Sequence, residues 1–350
     1  MDLSVDIPAR KWRLDTLPRR ILAIRLQAMG DLVITLPYLQ QLRDILPPGT
    51  RIDLLTRAEV AAIPCELDLF DKVYIIGGGR STKRQLLHTS LLLPRLWARR
   101  YQVVIDLQNN IISHIARKSL FPRAWSVFDR FSPIPAGEST RLTIAATGLP
   151  AHESILRHGF RLRNEAAARD LLKAHGWNEQ KDLVVLNPAG AFPTRNWSLD
   201  NYIAFARLWL QWRPSTQFLL LGTAFIASQS TILTHSLSPH VINMIGKTSP
   251  SQAFAILQQA FFVLSEDSGL MHMAWVSGIP TLALFGSTRN DRARPLGAHT
   301  RLLDSSDLAC GNCMLRECAF GDTHCLSRYT PEMVFQHAVS LLRCVSQCKK

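Results

Sequence analysis

The residues with the clearest chemical potential lie in one stretch, 261–288, which reads FFVLSEDSGLMHMAWVSGIPTLALFGST. The pattern predicts a buried strand, an acidic tip, a helix that opens at Asp267-Ser268-Gly269, and a second buried strand. Free N–H groups and the positive dipole end at a helix start attract anions, and small residues such as Ser268 and Gly269 leave room for one. His272 follows one turn later. The sequence therefore predicts an anion site, and simple helix capping by Asp267 or Ser268 is the alternative.

A second turn of the same kind follows an earlier predicted strand. The segment NPAGA at 187–191 is small and contains Gly190, and Arg195 follows it. A guanidinium is always charged and forms a two-pronged donor that suits phosphate. The alternative is an ordinary loop with an exposed arginine, in which Trp197 is a packing anchor. No D-x-D pair stands near either turn, so a diphosphate held there needs backbone donors, a helix dipole and a guanidinium.

A third candidate is Asp31, which ends the turn QAMGD at 27–31 after a predicted strand. An aspartate in the first turn of a helix is often only a cap or a partner of the dipole. The functional interpretation is a general base whose partial burial brings its pKa towards the working range. Gly30 beside it would let a substrate hydroxyl approach closely.

Short apolar runs separated by helix-like segments supply the elements that must position these residues. The predicted strands are Ile21–Leu26, Ile52–Thr56, Val73–Ile76, Val103–Leu107, Leu183–Leu186, Phe218–Leu221, Val241–Met244, Phe261–Leu264 and Thr281–Phe285. The predicted helices include Leu32–Leu46, 85–100, 111–119 and Pro331–Cys344, and residues 131–153 are predicted to be rich in loop. This alternation predicts an α/β protein with two doubly wound domains joined near residues 150–180, and a ligand cleft between the carboxyl ends of their sheets.

Composition narrows the class of protein. The chain has 350 residues, 47% hydrophobic and 19% charged, which is a globular balance long enough for two domains. No apolar run approaches the 18 or so residues of a spanning helix, and the N-terminal segment lacks the apolar core of a signal peptide. We therefore expect a cytoplasmic protein.

The net charge of +13 points to an anionic partner. Its densest basic cluster surrounds the apolar run LLHTSLLLPRLW at 86–97. Basic charge beside an apolar segment suits an anionic membrane surface or a phosphorylated lipid acceptor. Nucleic acid is a rival partner, but no recognition motif for it is present, and a solvated basic face without a partner is a further alternative.

Two other patterns have weaker chemical meaning. Cys310, Cys313, Cys318 and Cys325 form a compact C-x2-C-x4-C-x6-C cluster beside His324, open to zinc binding, disulfides or free thiols, and architectural in each case. The run Gly77-Gly78-Gly79 lacks the G-x-G-x-x-G spacing of a dinucleotide site. An oxidoreductase is therefore disfavoured.

Several motifs together resemble glycosyltransferase family 9, the bacterial lipopolysaccharide heptosyltransferases and their relatives. They are Met29-Gly30-Asp31, Asp106-Leu107-Gln108, the segment Asn187–Trp197, EDSGLMH at 266–272, Gly278-Ile279-Pro280 and FGST at 285–288. The cysteine loop also resembles one found in many members. The resemblance extends over nearly the whole chain.

The resemblance implies a GT-B fold of two Rossmann-like domains. Residues 1–165 would bind the acceptor, residues 166–330 the nucleotide-sugar donor, and residues 331–350 would form a C-terminal helix. It implies an inverting transfer of a heptose or related sugar from a donor such as ADP-heptose, without metal or other cofactor. The acceptor would be an anionic lipopolysaccharide-core glycolipid at the inner face of the cytoplasmic membrane, with no nucleic acid involved.

Site residues follow from the same resemblance. Asp31 matches the catalytic base, and Arg195 matches a basic residue that stabilises the leaving diphosphate. Asp267 would hold sugar hydroxyls, and His272 would brace the loop. The donor-binding set is Gly30, Asn187, Gly190, Ala191, Arg195, Asp267, Ser268, Gly269, Leu270, Met271, His272 and Gly286.

One departure bears on specificity. After the strand Phe218–Leu221 the chain reads GTAF at 222–225, where heptosyltransferases commonly carry a glutamate for the nucleotide ribose. A different base or sugar is therefore open. A nucleotide-sugar 2-epimerase or hydrolase, or a non-catalytic sugar-nucleotide-binding module, is the alternative function.

Overall fold

The computed structural model describes residues 7–151 and 159–347. The chain forms two compact units, Met1–Arg163 and Asn164–Lys350. Parts of three predictions lie outside the described residues: the start of the N-terminal segment, residues 152–153 of the predicted loop, and the last three residues of the predicted C-terminal segment. No helix among the described residues is long and apolar enough to cross a membrane.

The first unit is built on a mainly parallel sheet. Its strands are β1 (Ala9–Arg10), β2 (Arg20–Ile24), β3 (Arg51–Arg57), β4 (Lys72–Ile76), β5 (Val103–Asp106) and β6 (Ala124–Val127). Within residues 7–151 their order is β1-β6-β5-β2-β3-β4, and only β1 runs antiparallel to its neighbour. Strands β2 and β5 are almost wholly buried apolar runs, as expected when helices cover both faces of a parallel sheet.

The helices of this unit are α1 (Met29–Ile45), α2 (Thr82–Trp97), α3 (Ile111–Ser119) and α4 (Ala136–Ala146), with a 3₁₀ turn at Ala58–Val60. Helix α1 stops two residues before Pro47, whose missing N–H and fixed φ prevent a further turn. Helix α4 lies inside the stretch predicted to be loop, so that part of the prediction was wrong. Its small buried face, including Gly137 and Thr140, packs near α1, and this packing outweighs the weak local helix preference.

The second unit repeats the same architecture. Its strands are β7 (Asp182–Asn187), β8 (Thr216–Leu220), β9 (Val241–Asn243), β10 (Phe262–Glu266), β11 (Thr281–Leu284) and β12 (Thr300–Leu303). They form a parallel sheet in the order β12-β11-β10-β7-β8-β9 within residues 159–347.

The helices of the second unit are α5 (Glu165–Ala174), α6 (Leu199–Trp212), α7 (Ala227–Leu237), α8 (Pro250–Leu257), α9 (Gly269–Val276), α10 (Asn290–Ala293), α11 (His324–Ser327) and α12 (Pro331–Gln347). Short 3₁₀ turns lie at Pro193–Arg195 and Ala224–Ile226. In the core, Trp209 of α6 stacks on Phe262 with ring centroids 4.9 Å apart. Helix α12 buries Val334 and Leu341 in the same core, so it is packed into this unit.

All nine predicted strands are present, with ends within two residues of the prediction. Strands β1, β6 and β12 were not predicted, because they are short and mix apolar with polar residues. In both sheets the chain reverses its direction of winding between two adjacent strands, β2 and β5 in the first and β7 and β10 in the second. Open α/β sheets bind ligands at the carboxyl ends of such strands.

Candidate functional site

In the second unit, a buried carboxylate ties the predicted phosphate loop to the sheet. Glu266 ends β10 and accepts the backbone N–H groups of Gly190 at 2.6 Å and of Trp197 at 2.7 Å. The Tyr202 hydroxyl also bonds to it. Burial raises the pKa of Glu266 to about 8, although these three hydrogen bonds oppose the shift. Sequence reasoning quoted Glu266 only as part of a motif; a carboxylate at the end of a wholly buried strand was the available signal.

The start of α9 is organised by an amide from the neighbouring strand. Asn187 Nδ2 donates to Ser265 Oγ at 2.8 Å and to Ser268 Oγ at 2.7 Å. Ser268 is also the N-cap of α9, since its Oγ accepts the N–H of Met271. Capping and ligand binding are compatible here, because the position of a Cβ on Gly269 faces open space. Hydrogen bonds therefore fix the start of α9, and it is still accessible to a ligand.

Arg195 is brought to the same edge of the sheet. Its Nη1 lies 2.9 Å from Asp267 Oδ2, and both side chains are 13% exposed. The guanidinium also lies over the Phe192 ring at 4.3 Å. Asp267 Oδ2 accepts the Thr288 hydroxyl as well, at 3.0 Å. The structure therefore joins the predicted cation and the predicted acidic tip in one ion pair.

Two glycines of the predicted donor set are required by close packing. A Cβ on Gly190 would lie 2.2 Å from Asn196 Oδ1 and 2.5 Å from the Arg195 carbonyl oxygen. A Cβ on Gly286 would lie 2.1 Å from the Thr194 carbonyl oxygen. These glycines let the Arg195 loop fold against itself and against the end of β11.

The other predicted donor residues differ in accessibility. Ala191 is exposed in the loop after β7. Leu270 and Met271 are buried, so their side chains belong to the core under α9. His272 is also buried, and its Nδ1 accepts the Trp275 indole N–H at 3.1 Å.

In the first unit, Asp31 is the third residue of α1 and stands at the carboxyl end of β2. Its Oδ2 lies 3.0 Å from Arg25 Nη2 and accepts the N–H of Ala28 at 3.0 Å. Gly30 is the second residue of the same helix. Arg25 is buried, donates to the Leu107 carbonyl and lies over the Phe128 ring. Sequence reasoning missed Arg25, which reads locally as one polar residue within a strand.

A glutamine from the adjacent strand holds the turn before Asp31. Gln108 Oε1 accepts the N–H groups of Leu26 and Gln27, both at 2.9 Å. Asp106 in turn accepts the N–H groups of Gln108 and Asn109, and burial raises the pKa of its carboxyl. The motif Asp106-Leu107-Gln108 therefore positions the β2–α1 turn.

The cysteine loop packs against the Arg195 loop. Met314 N–H donates to the Ser287 carbonyl at 2.8 Å, and Thr194 Oγ1 donates to the Leu315 carbonyl at 2.5 Å. Cys310, Cys313, Cys318 and Cys325 line one cavity of about 230 Å³ with Asp322 and His324. The six cysteines among the described residues are unbonded, and no group of three or more His, Cys, Asp or Glu there has metal-binding geometry. The loop therefore braces the Arg195 segment.

The chain belongs to glycosyltransferase family 9 (heptosyltransferase), whose family model matches residues 134–324, just over half of the chain. It is 25% identical over 200 residues to lipooligosaccharide heptosyltransferase 2 of Campylobacter jejuni. That match covers 56% of this chain and 60% of the relative, so the chain spans less than two thirds of that relative's length.

Solved structures share the fold over nearly all of the chain. A family 9 glycosyltransferase from Veillonella parvula superposes with a TM-score of 0.76 and 18% identity, covering 93% of this chain and 97% of that one. The E. coli heptosyltransferase WaaC, solved with ADP-2-deoxy-2-fluoro heptose, superposes with a TM-score of 0.65 and 19% identity, covering 92% and 99%. The predicted fold class is confirmed: two parallel-sheet α/β domains of the GT-B type.

Proposed function

We propose that this chain is an inverting glycosyltransferase that moves a heptose or related sugar from a nucleoside-diphosphate sugar to a lipopolysaccharide-core-like glycolipid. Membership of the family and a heptosyltransferase relative support the reaction class. The observation that carries the proposal is the Arg195–Asp267 pair beside the open start of α9, at the point in the second sheet where the winding reverses.

The second unit would hold the donor. The N–H groups at the start of α9 and the guanidinium of Arg195 are donors suited to the oxygens of a diphosphate. Asp267 would accept a sugar hydroxyl while it holds Arg195 in place. Because this set offers backbone N–H donors and a guanidinium, and because its carboxylate is engaged by Arg195, we propose that the diphosphate is held without a metal ion or other cofactor.

The first unit would bind the acceptor and supply the base. Asp31 would take the proton of an acceptor hydroxyl while that oxygen forms a bond to the anomeric carbon of the donor. The bond from the anomeric carbon to the diphosphate oxygen breaks, and its electron pair leaves with the diphosphate, where Arg195 stabilises the charge. A single displacement of this kind inverts the anomeric configuration.

The donor nucleotide is open in this proposal. A donor such as ADP-heptose would resemble the ADP-2-deoxy-2-fluoro heptose in the E. coli structure. The segment Gly222-Thr223-Ala224-Phe225 after β8 leaves the nucleotide open, because it departs from the heptosyltransferase pattern described above. Phe225 is 70% exposed there. Thermal-shift measurements against ADP-, GDP-, UDP- and dTDP-linked sugars would identify the donor, and absence of stabilisation by all of them would contradict the donor site.

The catalytic test uses Asp31→Asn. We expect loss of transfer by at least about 100-fold, the lower end of general-base contributions, with unchanged donor affinity. Asp44→Asn is the matched control, because Asp44 lies at the other end of the same helix α1. Retained turnover in Asp31→Asn would remove Asp31 from its role. Donor consumption without acceptor would indicate a hydrolase or epimerase instead.

A further inference from the structure

The amino edge of the first sheet carries two adjoining basic cavities. The first, of about 540 Å³, is lined by Arg19, Arg20, Arg99, Arg100 and Arg123. The second, of about 420 Å³, is lined by Arg10, Lys11, Arg13 and the same Arg123. Because Arg123 belongs to both linings, the eight basic residues form one surface, which we call the arginine face.

The arginine face lies opposite the Asp31 site. Arg20 begins β2, and Arg123 immediately precedes β6. Helix α2 ends at Trp97, and helix α3 ends at Ser119, two residues before Phe121. Trp97 and Phe121 both line the first cavity of the arginine face. Asp31, in contrast, follows the carboxyl end of β2. None of the interactions described for the Asp31 site uses this edge of the sheet.

Most of its positive charge has no ion-pair partner in residues 7–151 and 159–347. Among the described residues, Arg19, Arg20, Arg100 and Arg123 form no ion pair, and no carboxylate lines either cavity. Arg99 donates its Nε–H to the Tyr74 hydroxyl at 3.0 Å.

Carboxylates among the described residues compensate only part of this charge. The buried carboxylate of Asp53 accepts a hydrogen bond from the hydroxyl of Tyr101, which lines the first cavity, and interacts electrostatically with Arg99 and Arg20. Asp15 is exposed in the loop that precedes β2. Within the part of the chain that the structure describes, eight cationic side chains thus line cavities that contain no carboxylate, an imbalance that calls for external anions.

Large apolar side chains project around the same cavities. Trp97 is 51% exposed and Phe121 is 87% exposed, and both line the first cavity. Leu14 is exposed and lines the second cavity, whereas the exposed Leu91 and Leu87 lie about two and three turns before Trp97 on α2 and line neither cavity. Phe121 also has a φ of +46°, a left-handed conformation that is unfavourable for a bulky residue. The exposed side chain of Phe121 and its backbone conformation are therefore both unfavourable for the stability of the first unit.

We propose that the arginine face docks the protein on a bilayer that contains anionic phospholipids. The arginines would bind headgroup phosphates, while Trp97, Phe121 and Leu14 enter the boundary between headgroups and acyl chains. The exposed aliphatic side chain of Leu14 on this face favours a bilayer over nucleic acid, which offers stacking surfaces for aromatic rings but no apolar layer for aliphatic side chains.

Docking by the arginine face would orient the protein on the membrane. Only the glycolipid nature of the acceptor is taken here from the proposed function. Strand β2 has five residues, so the docked edge and the Asp31 edge are separated by about 17 Å at about 3.3 Å per residue. An acceptor sugar carried away from the bilayer on a saccharide chain would be reached from that distance, whereas a hydroxyl at the headgroup level would not.

The test is vesicle co-sedimentation of the full chain with phosphatidylcholine alone and with an equal mixture of phosphatidylcholine and phosphatidylglycerol. We expect binding to the anionic vesicles only, and release as salt rises from 50 to about 500 mM. Arg100→Gln/Arg123→Gln should weaken binding about 25-fold, because each basic residue near an anionic surface contributes about fivefold. The matched control is Arg207→Gln/Arg343→Gln, two exposed arginines of the second unit, which should change binding by less than about twofold.

A second variant separates docking from folding. Phe121→Asn should raise the melting temperature, since asparagine tolerates positive φ, and should weaken vesicle binding. The proposal would be overturned if the two double arginine variants lost vesicle binding equally, or if the protein bound neutral vesicles as well as anionic ones. Tighter binding to single-stranded nucleic acid than to anionic vesicles would also overturn it. Donor-induced thermal shifts, measured without vesicles, report separately on the proposed function.

Discussion

Arg25 Nη2 lies 3.0 Å from Asp31 Oδ2, and the two side chains differ sharply in exposure, 6% against 45%. The backbone N–H of Ala28 is directed to the same Oδ2. A buried guanidinium and the helix start therefore fix one carboxylate oxygen, and Oδ1 receives neither contact. Oδ1 is the atom that we expect to accept the proton of an acceptor hydroxyl.

Arg25→Lys should lower kcat about tenfold and leave the KM for the donor unchanged. Lysine keeps the charge but cannot reach Asp31 and the Leu107 carbonyl together, so the carboxylate loses orientation. Steady-state kinetics measure both constants. Arg43→Lys is the control, because Arg43 pairs with Asp71 at 2.7 Å in the same unit. A change in donor KM without a change in kcat would contradict the positioning role.

Glu266 should make the stability of the second unit depend on pH. Its pKa is about 8 in the folded protein, against an ordinary value of 4.5, so the folded state retains a proton that the unfolded state has lost. The free energy of unfolding should therefore fall as pH rises from about 4.5 to 8, by on the order of 5 kcal/mol at full span.

Glu266→Gln lacks this titration. Denaturant unfolding of both proteins between pH 5 and 8.5 would measure the difference in their unfolding free energies. We expect the stability of the native protein relative to the variant to decrease across that interval. A constant or increasing difference would show that the three hydrogen bonds to Glu266 outweigh its burial.

Arg195→Ala should weaken binding of the nucleoside diphosphate by about 10- to 100-fold, because a charge-assisted hydrogen bond contributes about 1.5–3 kcal/mol. Isothermal titration with the diphosphate identified by thermal shift is the measurement. Arg213→Ala is the matched control, since Arg213 also pairs with an aspartate of this unit, Asp182, at 2.6 Å. Equal affinity in Arg195→Ala and Arg213→Ala would place the diphosphate elsewhere.

Two glycine substitutions should have opposite consequences. Gly190→Ala places a Cβ 2.2 Å from Asn196 Oδ1 and should destabilise the fold by about 1–3 kcal/mol. Gly269→Ala meets no atom within 4 Å, so the fold should tolerate it while the donor loses access to the start of α9. Unfolding and donor-binding measurements on both variants would show this. Full donor affinity in Gly269→Ala would argue that α9 serves only as packing.

The thiols of the cysteine loop should differ in reactivity. Cys310 and Cys313 are exposed, whereas burial and the neighbouring cysteines raise the pKa of Cys325. The thiolate is the reactive form, so iodoacetamide at pH 7.5 should modify Cys325 more slowly than the other two. Peptide mass spectrometry over time measures the order. Resistance of all four thiols would indicate that they are occupied by a metal or by disulfides.

Much of the fold could be predicted from local patterns. Most of the nine predicted strands are buried apolar runs, and proline and glycine mark several of their boundaries. Helix α4 could not be predicted in this way, because residues 136–146 carry glycine and hydroxyl side chains whose helix is stabilised by packing. Strand β1 gains its hydrogen bonds from β6, which is distant in sequence.

The sequence by itself determined which residue types stand at the carboxyl ends of the strands. A short apolar run followed by glycine, serine or aspartate is a local pattern that marks a strand end. It therefore placed Asp31, Arg195 and Asp267 in plausible turns. Only the tertiary structure decided their partners. Arg195 pairs with Asp267, and Glu266 with the backbone of the Arg195 loop, because adjacent strands bring together segments as many as 76 residues apart. Arg25 pairs with Asp31 across one turn, because burial of β2 and the start of α1 direct the two side chains towards each other. Such pairings depend on sheet order and burial, which no local pattern of residues contains.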